Sequence, residues 1–198
     1  MAHKITRLQA INIILSNVGQ SPVSSVDSTN PMVSTAETII DEVSHAVQTE
    51  GWSFNTESHY PFTPDNAGDI VIPDNVLSLD VVGEALANPV IRSGRLYDKY
   101  SHTYTWAETI EATVVWFFDF EDLPEVFKQY VTIRAANLFA GRAVGSSDAA
   151  RYSEREEAAA RASCLQHETQ QGDYSYLGDA NGRKGYLSYL PINAVYRR

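Results

Sequence analysis

TAETIIDEVSHAVQTEGWSFN, Thr35 to Asn55, contains the change of period that decides the fold. Ala36, Ile39, Ile40, Val43, Ala46 and Val47 recur at the spacing of one helical face. Ser34 and Glu37 have the spacing of a capping box, in which each side chain satisfies a free N–H of the first turn. A helix is therefore predicted over about 35–50, closed by Gly51. Past Gly51, Trp52 and Phe54 alternate with polar residues, the period of a strand. A helical chain that turns to β period at this point is not all-α.

Upstream, Leu8, Ile11, Ile14, Leu15 and Val18 make a first amphipathic helix over about 6–18. Thr6 with Gln9 caps it, Gly19 stops it and Pro22 prevents its continuation. Residues 21–31, SPVSSVDSTNP, form a turn-rich linker.

Downstream, the β period persists. Leu77, Leu79 and Val81 alternate with Ser78 and Asp80. Val90–Arg92 and Arg95–Tyr97 flank Ser93-Gly94, a two-residue hairpin turn. Thr103–Trp106 and Thr113–Phe118 read as two more strands, being rich in β-branched and aromatic residues. Helix returns at Asp122, where Asp122 and Glu125 are spaced as a third capping box with Pro124 in the first turn. Phe127, Tyr130, Val131, Ala135, Leu138 and Phe139 carry its buried face, and Gly145 ends it. A fourth helix is predicted over about 148–171, with small residues at 158–160 and 162 for close approach and Gly172 as its stop.

Two helices at each end cannot bury their stripes alone, so one core assembled from both ends is expected. The predicted class is α+β: a discontinuous four-helix bundle (1–51 and 119–172) with an inserted antiparallel β region (52–118). An extended C-terminal arm (173–198) follows. The arm holds Tyr174, Tyr176, Tyr186, Tyr189 and Tyr196 with Arg183, Lys184, Arg197 and Arg198, so an acidic protein ends in a basic, aromatic stretch. Tyrosine combines large apolar area with a polar handle and is enriched at interfaces, which makes the arm a candidate contact with a partner subunit.

The net charge is −10 over 198 residues. That balance argues against gripping DNA, which needs clustered cations, and suits a wall that DNA slides past. The single cysteine, Cys164, excludes an intramolecular disulfide and fits assembly in a reducing cytoplasm. The N-terminal apolar stretch is interrupted by Arg7, Gln9 and Asn12, unlike a signal peptide's core or a membrane span.

No catalytic, cofactor or metal site is predicted. Cys164 and His167 have the C-x-x-H spacing of half a metal site, without further cysteines. His3, His45, His59, His102 and His167 follow no metal-binding pattern, and Ser24, Ser25 and Ser28 with His59 define no triad. Residues 179–182 look like a calcium-loop fragment without its bidentate glutamate. Glu37, Asp41 and Glu42 could be a glycosidase acid pair only with a cleft and a raised pKa; a carboxylate-rich helix surface is the default.

Five strings carry a resemblance. Asn12–Ser24 (NIILSNVGQSPVS), Gly51–Asn55 (GWSFN), Ile72–Leu79 (IPDNVLSL), Arg92–Asp98 (RSGRLYD) and Phe118–Phe127 (FDFEDLPEVF) resemble, in order, the tail tubular protein A family of T7-like short-tailed phages. The resemblance implies a non-enzymatic virion tail protein assembled in the host cytoplasm. It would form a homo-oligomeric ring, dodecameric in that family, acting as adaptor between the portal protein and the tail nozzle protein. DNA would pass through the channel without specific binding. Arg92, Arg95, Tyr97, Tyr100 and Tyr104, in or beside the hairpin, are candidate nozzle contacts, and the arm residues above are candidate contacts with portal or a neighbouring subunit. Competing readings are a tail-associated peptidoglycan hydrolase, resting on the helix carboxylates, and a glycan-binding module, resting on the aromatics of 97–106.

Overall fold

The computed structural model describes residues 4–26, 30–81, 89–143 and 147–171. The chain is α+β. Its elements are α1 (Arg7–Asn17), α2 (Pro31–Thr49), β1 (Thr56–Phe62), β2 (Val76–Val81), β3 (Pro89–Arg92), β4 (Arg95–Asp98), β5 (Ile110–Trp116), a 3-10 turn (Phe120–Asp122), α3 (Glu125–Ala143) and α4 (Ser147–Gln171).

The Thr6–Gln9 capping box of α1 is present with both of its hydrogen bonds. α2 starts a turn earlier than its sequence pattern suggests. Asn30 is the cap, its side chain accepting from the Met32 N–H. Pro31 opens the helix where a missing N–H costs nothing. Ser34 and Glu37 are therefore inside α2, and the predicted box there does not form. The buried stripe of α2 is Val33, Ala36, Ile39, Ile40, Val43 and Val47, joined by the polar Ser44 and Gln48, while Ala46 is exposed.

The start of α3 also differs. Asp122 closes the 3-10 turn through its N–H to the Asp119 carbonyl. Leu123 is extended (φ −67°, ψ 147°), as a residue before proline prefers. The helix begins only at Glu125, with the Pro124 carbonyl accepting from Phe127 and Lys128. Glu125 Oε1 does not close a box with Asp122 but accepts the Ile5 N–H at 2.7 Å; Glu121 Oε1 accepts the Arg7 N–H at 2.8 Å. These two carboxylates satisfy donors at the free N-terminal end of α1, which joins residues 5–7 to the approach to α3. The proposed stops Gly145 and Gly172 lie outside the described residues.

α1, α2 and α4 each pack on α3. Their core includes Ile11, Ile14, Leu15, Ile39, Ile40, Phe127, Tyr130, Val131 and Phe139, with Ala160 and Cys164 from α4. A second cluster, Phe62, Ile70, Ile72, Leu96, Ala112, Val114 and Trp116, belongs to the β part. Phe118 packs against both.

The β part is a three-stranded antiparallel sheet, order β1-β5-β2, and the separate β3–β4 hairpin. Trp52 and Phe54 are not on a strand. They stand in the turn before β1, where Trp52 is buried and meets the Phe127 ring edge-on at 4.9 Å, and Phe54 lies 4.6 Å from the same ring. The alternation there comes from two aromatics dropping into the helical core. Thr103–Trp106 is not a strand either: Thr103 and Thr105 make isolated bridges to Asp98 and Asp69.

The hairpin turn matches the sequence reading. Ser93 (φ 51°) and Gly94 (φ 70°) both take left-handed backbone, as a two-residue turn with the strands' own twist requires. A Cβ at Gly94 would meet nothing within 4 Å, so only backbone strain opposes substitution. Gly94→Val should cost about 1–2 kcal/mol, the penalty of a left-handed L-residue, measurable as a lower urea midpoint with an unchanged m-value.

Candidate interaction surfaces

β3 and β4 pair Val90 with Tyr97 and Arg92 with Arg95, which puts these side chains on one face of the hairpin. The bridge between Val71 and Arg95 adds Val71, 64% exposed, to the same face. There the residues form a ladder. The Arg92 guanidinium lies 4.3 Å from the centre of the Tyr97 ring. Tyr97 lies 4.7 Å from Tyr104, and Tyr104 lies 4.5 Å from the Arg95 guanidinium. Asp69 Oδ2 holds Arg95 Nη1 at 2.6 Å, and His102 Nδ1 is 3.5 Å from the Tyr97 hydroxyl. Each exposed cation–π contact is worth about 0.5–1 kcal/mol, so the side chains are ordered before any partner arrives and lose less entropy on docking.

Of the five hairpin residues read from sequence, Arg92, Arg95, Tyr97 and Tyr104 come together. Tyr100 does not share the ring stack and is 72% exposed. Trp106 turns the other way, against the β core, with its Nε1–H donating to the Leu96 carbonyl. Sequence reasoning missed Asp69, whose carboxylate fixes Arg95 from outside the hairpin; no local pattern links positions 69 and 95. The arm positions Tyr174, Tyr176, Arg183, Lys184, Tyr186, Tyr189, Tyr196, Arg197 and Arg198 lie outside the described residues.

Glu37, Asp41 and Glu42 are held by arginines. Arg7 sits 2.6 Å from Asp41 and 3.7 Å from Glu37. Both oxygens of Glu42 accept from Arg142, at 2.9 Å each. That hydrogen bonding, with the attraction of the cation, holds the Glu42 pKa below its ordinary value. A general acid needs the opposite shift. Arg161 bonds Glu50 and the Tyr130 hydroxyl and lies over Trp52, tying α4 to α2 and α3.

Cys164 and His167 have different partners. The thiol is buried and donates to the Val126 carbonyl at 3.4 Å, while the His167 ring packs edge-on against Phe127. Among the described residues, no group of three His, Cys, Asp or Glu side chains could hold a metal. Burial pushes the Cys164 thiol up from 9.0 to about 11. It should not react with thiol reagents at about pH 8 until the chain unfolds. The folded state keeps this proton longer than the unfolded one. The thiol's contribution to stability is therefore full below the ordinary value of 9.0 and is lost as pH rises through about 11. Alkaline melts of Cys164→Ala should lack that part of the slope.

The described residues include no helix long and apolar enough to cross a membrane. A protein-family model described as tail tubular protein matches residues 8–174. The chain is also similar to the tail tubular protein A of Klebsiella phage KP34. The two are 28% identical over 151 residues, which cover 76% of this chain and 80% of that protein. The family match takes in all the elements described above from Leu8 onward and leaves almost all of 173–198 outside it.

Proposed function

This chain belongs to the tail tubular protein family, as a structural, non-enzymatic component of the virion tail, and we propose that it is the ring subunit joining the portal to the tail nozzle. In this reading copies of the chain close a ring, expected to be dodecameric, around the path of the ejected DNA. The helical part (1–51 and 119–172) makes the ring body, the β part (52–118) meets the nozzle, and the stretch 173–198 grips portal or a neighbouring subunit. Heterologous head-to-tail contacts that close by rotation suit a chain whose candidate surfaces are unlike one another. A net charge of −10 suits a channel wall that must not hold DNA.

The observation that supports the nozzle contact best is the Arg92–Tyr97–Tyr104–Arg95 ladder. Arginine and tyrosine are the usual anchors of protein interfaces, and here they are already ordered. Light scattering and electron microscopy of the chain, alone and mixed with portal and nozzle proteins, test the assembly. A ring that bridges the two partners is expected; a monomer that binds neither at high concentration overturns the reading. Removing 173–198 should weaken assembly while leaving the melting temperature in place. The double variant R92A/Y97A should weaken nozzle binding at least tenfold, equivalent to about 1.4 kcal/mol, while its far-UV spectrum stays unchanged. Unaltered nozzle affinity would remove the hairpin from that contact.

A further inference from the structure

We propose that the outward side of α1 receives residues 173–198 of a second copy of this chain. The inference rests on the ring reading above, and it assigns the two halves of the lateral contact.

α1 buries Ala10, Ile11, Ile14 and Leu15 against the rest of the helical core. Its opposite side is not the charged face expected of a surface helix. It is an open trough lined by Ile5, Gln9, Asn12, Ile13 and Ser16, without a charged side chain among them, and Ile13 is 43% exposed. Asn12 is fixed there by two bonds to the Val23 backbone: its Nδ2 donates to the carbonyl at 3.0 Å, and its Oδ1 accepts from the N–H at 2.8 Å. The trough is thus apolar, bordered by neutral hydrogen-bonding groups, and rigid along one side.

The Ile5 end of the trough meets an acidic run. Asp119, Glu121, Asp122 and Glu125 lie on the approach to α3, bonded to the start of α1 through Glu125 to Ile5 N and Glu121 to Arg7 N. Among the described residues none of these four carboxylates has an ion pair. The neighbouring Lys128 ammonium bonds the Glu121 backbone carbonyl instead. Apolar trough and unbalanced acid run are therefore continuous.

The stretch 173–198 matches both halves. Its tyrosines supply ring faces for the trough and hydroxyls for Gln9, Asn12 and Ser16. The pairs Arg183-Lys184 and Arg197-Arg198 supply cations for the acid run. At about 3.3 Å per extended residue the stretch reaches on the order of 80 Å, enough to cross to a neighbour. A donor stretch and a receiving helix that differ are what a head-to-tail ring contact requires.

Cysteine pairing in the full chain tests this. In a Cys164→Ser background each copy carries one cysteine, so any disulfide must join two copies. Copies with Ile13→Cys are mixed with copies carrying Tyr176→Cys, Tyr186→Cys or Tyr189→Cys under mild oxidation. A linked pair should form with at least one arm position, form again with Ser16→Cys in place of Ile13→Cys, and be absent with the control Ser78→Cys. D119N/D122N should reduce its yield, as should high salt. If light scattering shows the ring but no arm position links to α1, the inference fails and the ring reading stands. If the chain is a monomer that binds no tail partner, both fail. A variant carrying Ile13→Cys and Tyr189→Cys in one copy that closes only an intramolecular disulfide would show that each arm folds back on its own α1, and overturns the exchange between copies.

Discussion

Phe127→Ala is expected to lower the unfolding free energy by about 4 kcal/mol, the usual cost of deleting a fully buried phenylalanine. Phe127 has no exposed surface. It is the ring on which Trp52, Phe54 and His167 converge, from the turn before β1 and from the end of α4. The turn that carries Trp52 and Phe54 is held by bonds of its own, which limits its collapse into the gap. Trp52 Nε1 donates to the Val47 carbonyl at 2.7 Å, and Glu168 accepts both the N–H and the hydroxyl of Ser53. Chemical denaturation should show the loss as a lower midpoint at unchanged slope. Phe127→Leu should cost about half as much, since it keeps most of the volume. A change below about 1 kcal/mol for the alanine variant, typical of a surface site, would show that these aromatics do not share one packed centre.

The second large effect is expected at Asn55, a buried residue that joins three backbone groups. Its Oδ1 accepts the Trp52 N–H at 2.8 Å. Its Nδ2 donates to the Gln48 carbonyl at 2.9 Å and to the Trp116 carbonyl at 2.8 Å. Gln48, fully buried, continues the link: its Oε1 accepts the Phe118 N–H and its Nε2 donates to the Phe118 carbonyl and to Ser44 Oγ. Asn55→Ala would take the acceptor from the buried Trp52 N–H and the Asn55 amide donor from the Trp116 carbonyl, while the Gln48 carbonyl would keep the Gly51 N–H. At about 1–3 kcal/mol for each unsatisfied group, water entering the gap can recover only part of the loss. An overall cost of about 2–4 kcal/mol follows. Asn55→Asp should cost as much, because it removes both donors and adds a buried charge. Hydrogen exchange at the Trp52 and Phe118 amides should speed up first.

The helices were legible because their signals are local. Period, the Thr6–Gln9 box and Gly51 sit within a few residues of what they decide. The hairpin was legible for the same reason, since Ser93-Gly94 is a turn with its own chemistry. The failures have physical causes of two kinds. Asn30 and Pro31 start α2 ahead of the Ser34–Glu37 spacing, and the constraint of Pro124 on Leu123 delays α3. At Trp52 and Phe54 an alternation that mimics a strand is a turn whose aromatics are claimed by the helical core. The relay through Asn55 and Gln48, the brace of Asp69 on Arg95, and the carboxylates that reach from the approach to α3 back to α1 are long-range pairings. Composition gives no signal for these. The ladder was half legible: aromatics and arginines clustered in sequence, but only strand register decides that Tyr104 stacks and Trp106 does not.

The clamp at Asn55 also bears on how this protein can change over generations. It joins the residue before β1 to the last residue of β5, so everything between positions 55 and 116 leaves and returns at one fixed gate. The entropy of closing such a segment grows only slowly with its length, by about 0.6 kcal/mol per doubling. The Asn55 bonds reach only backbone groups at the two ends of the segment, and the further packing of α2 is on β2 and β5 rather than on the hairpin. Insertions, deletions or wholesale exchange of the hairpin side are therefore tolerable so long as the gate survives. A lineage that must fit a new tail partner can redraw that side without re-solving the packing of its helices.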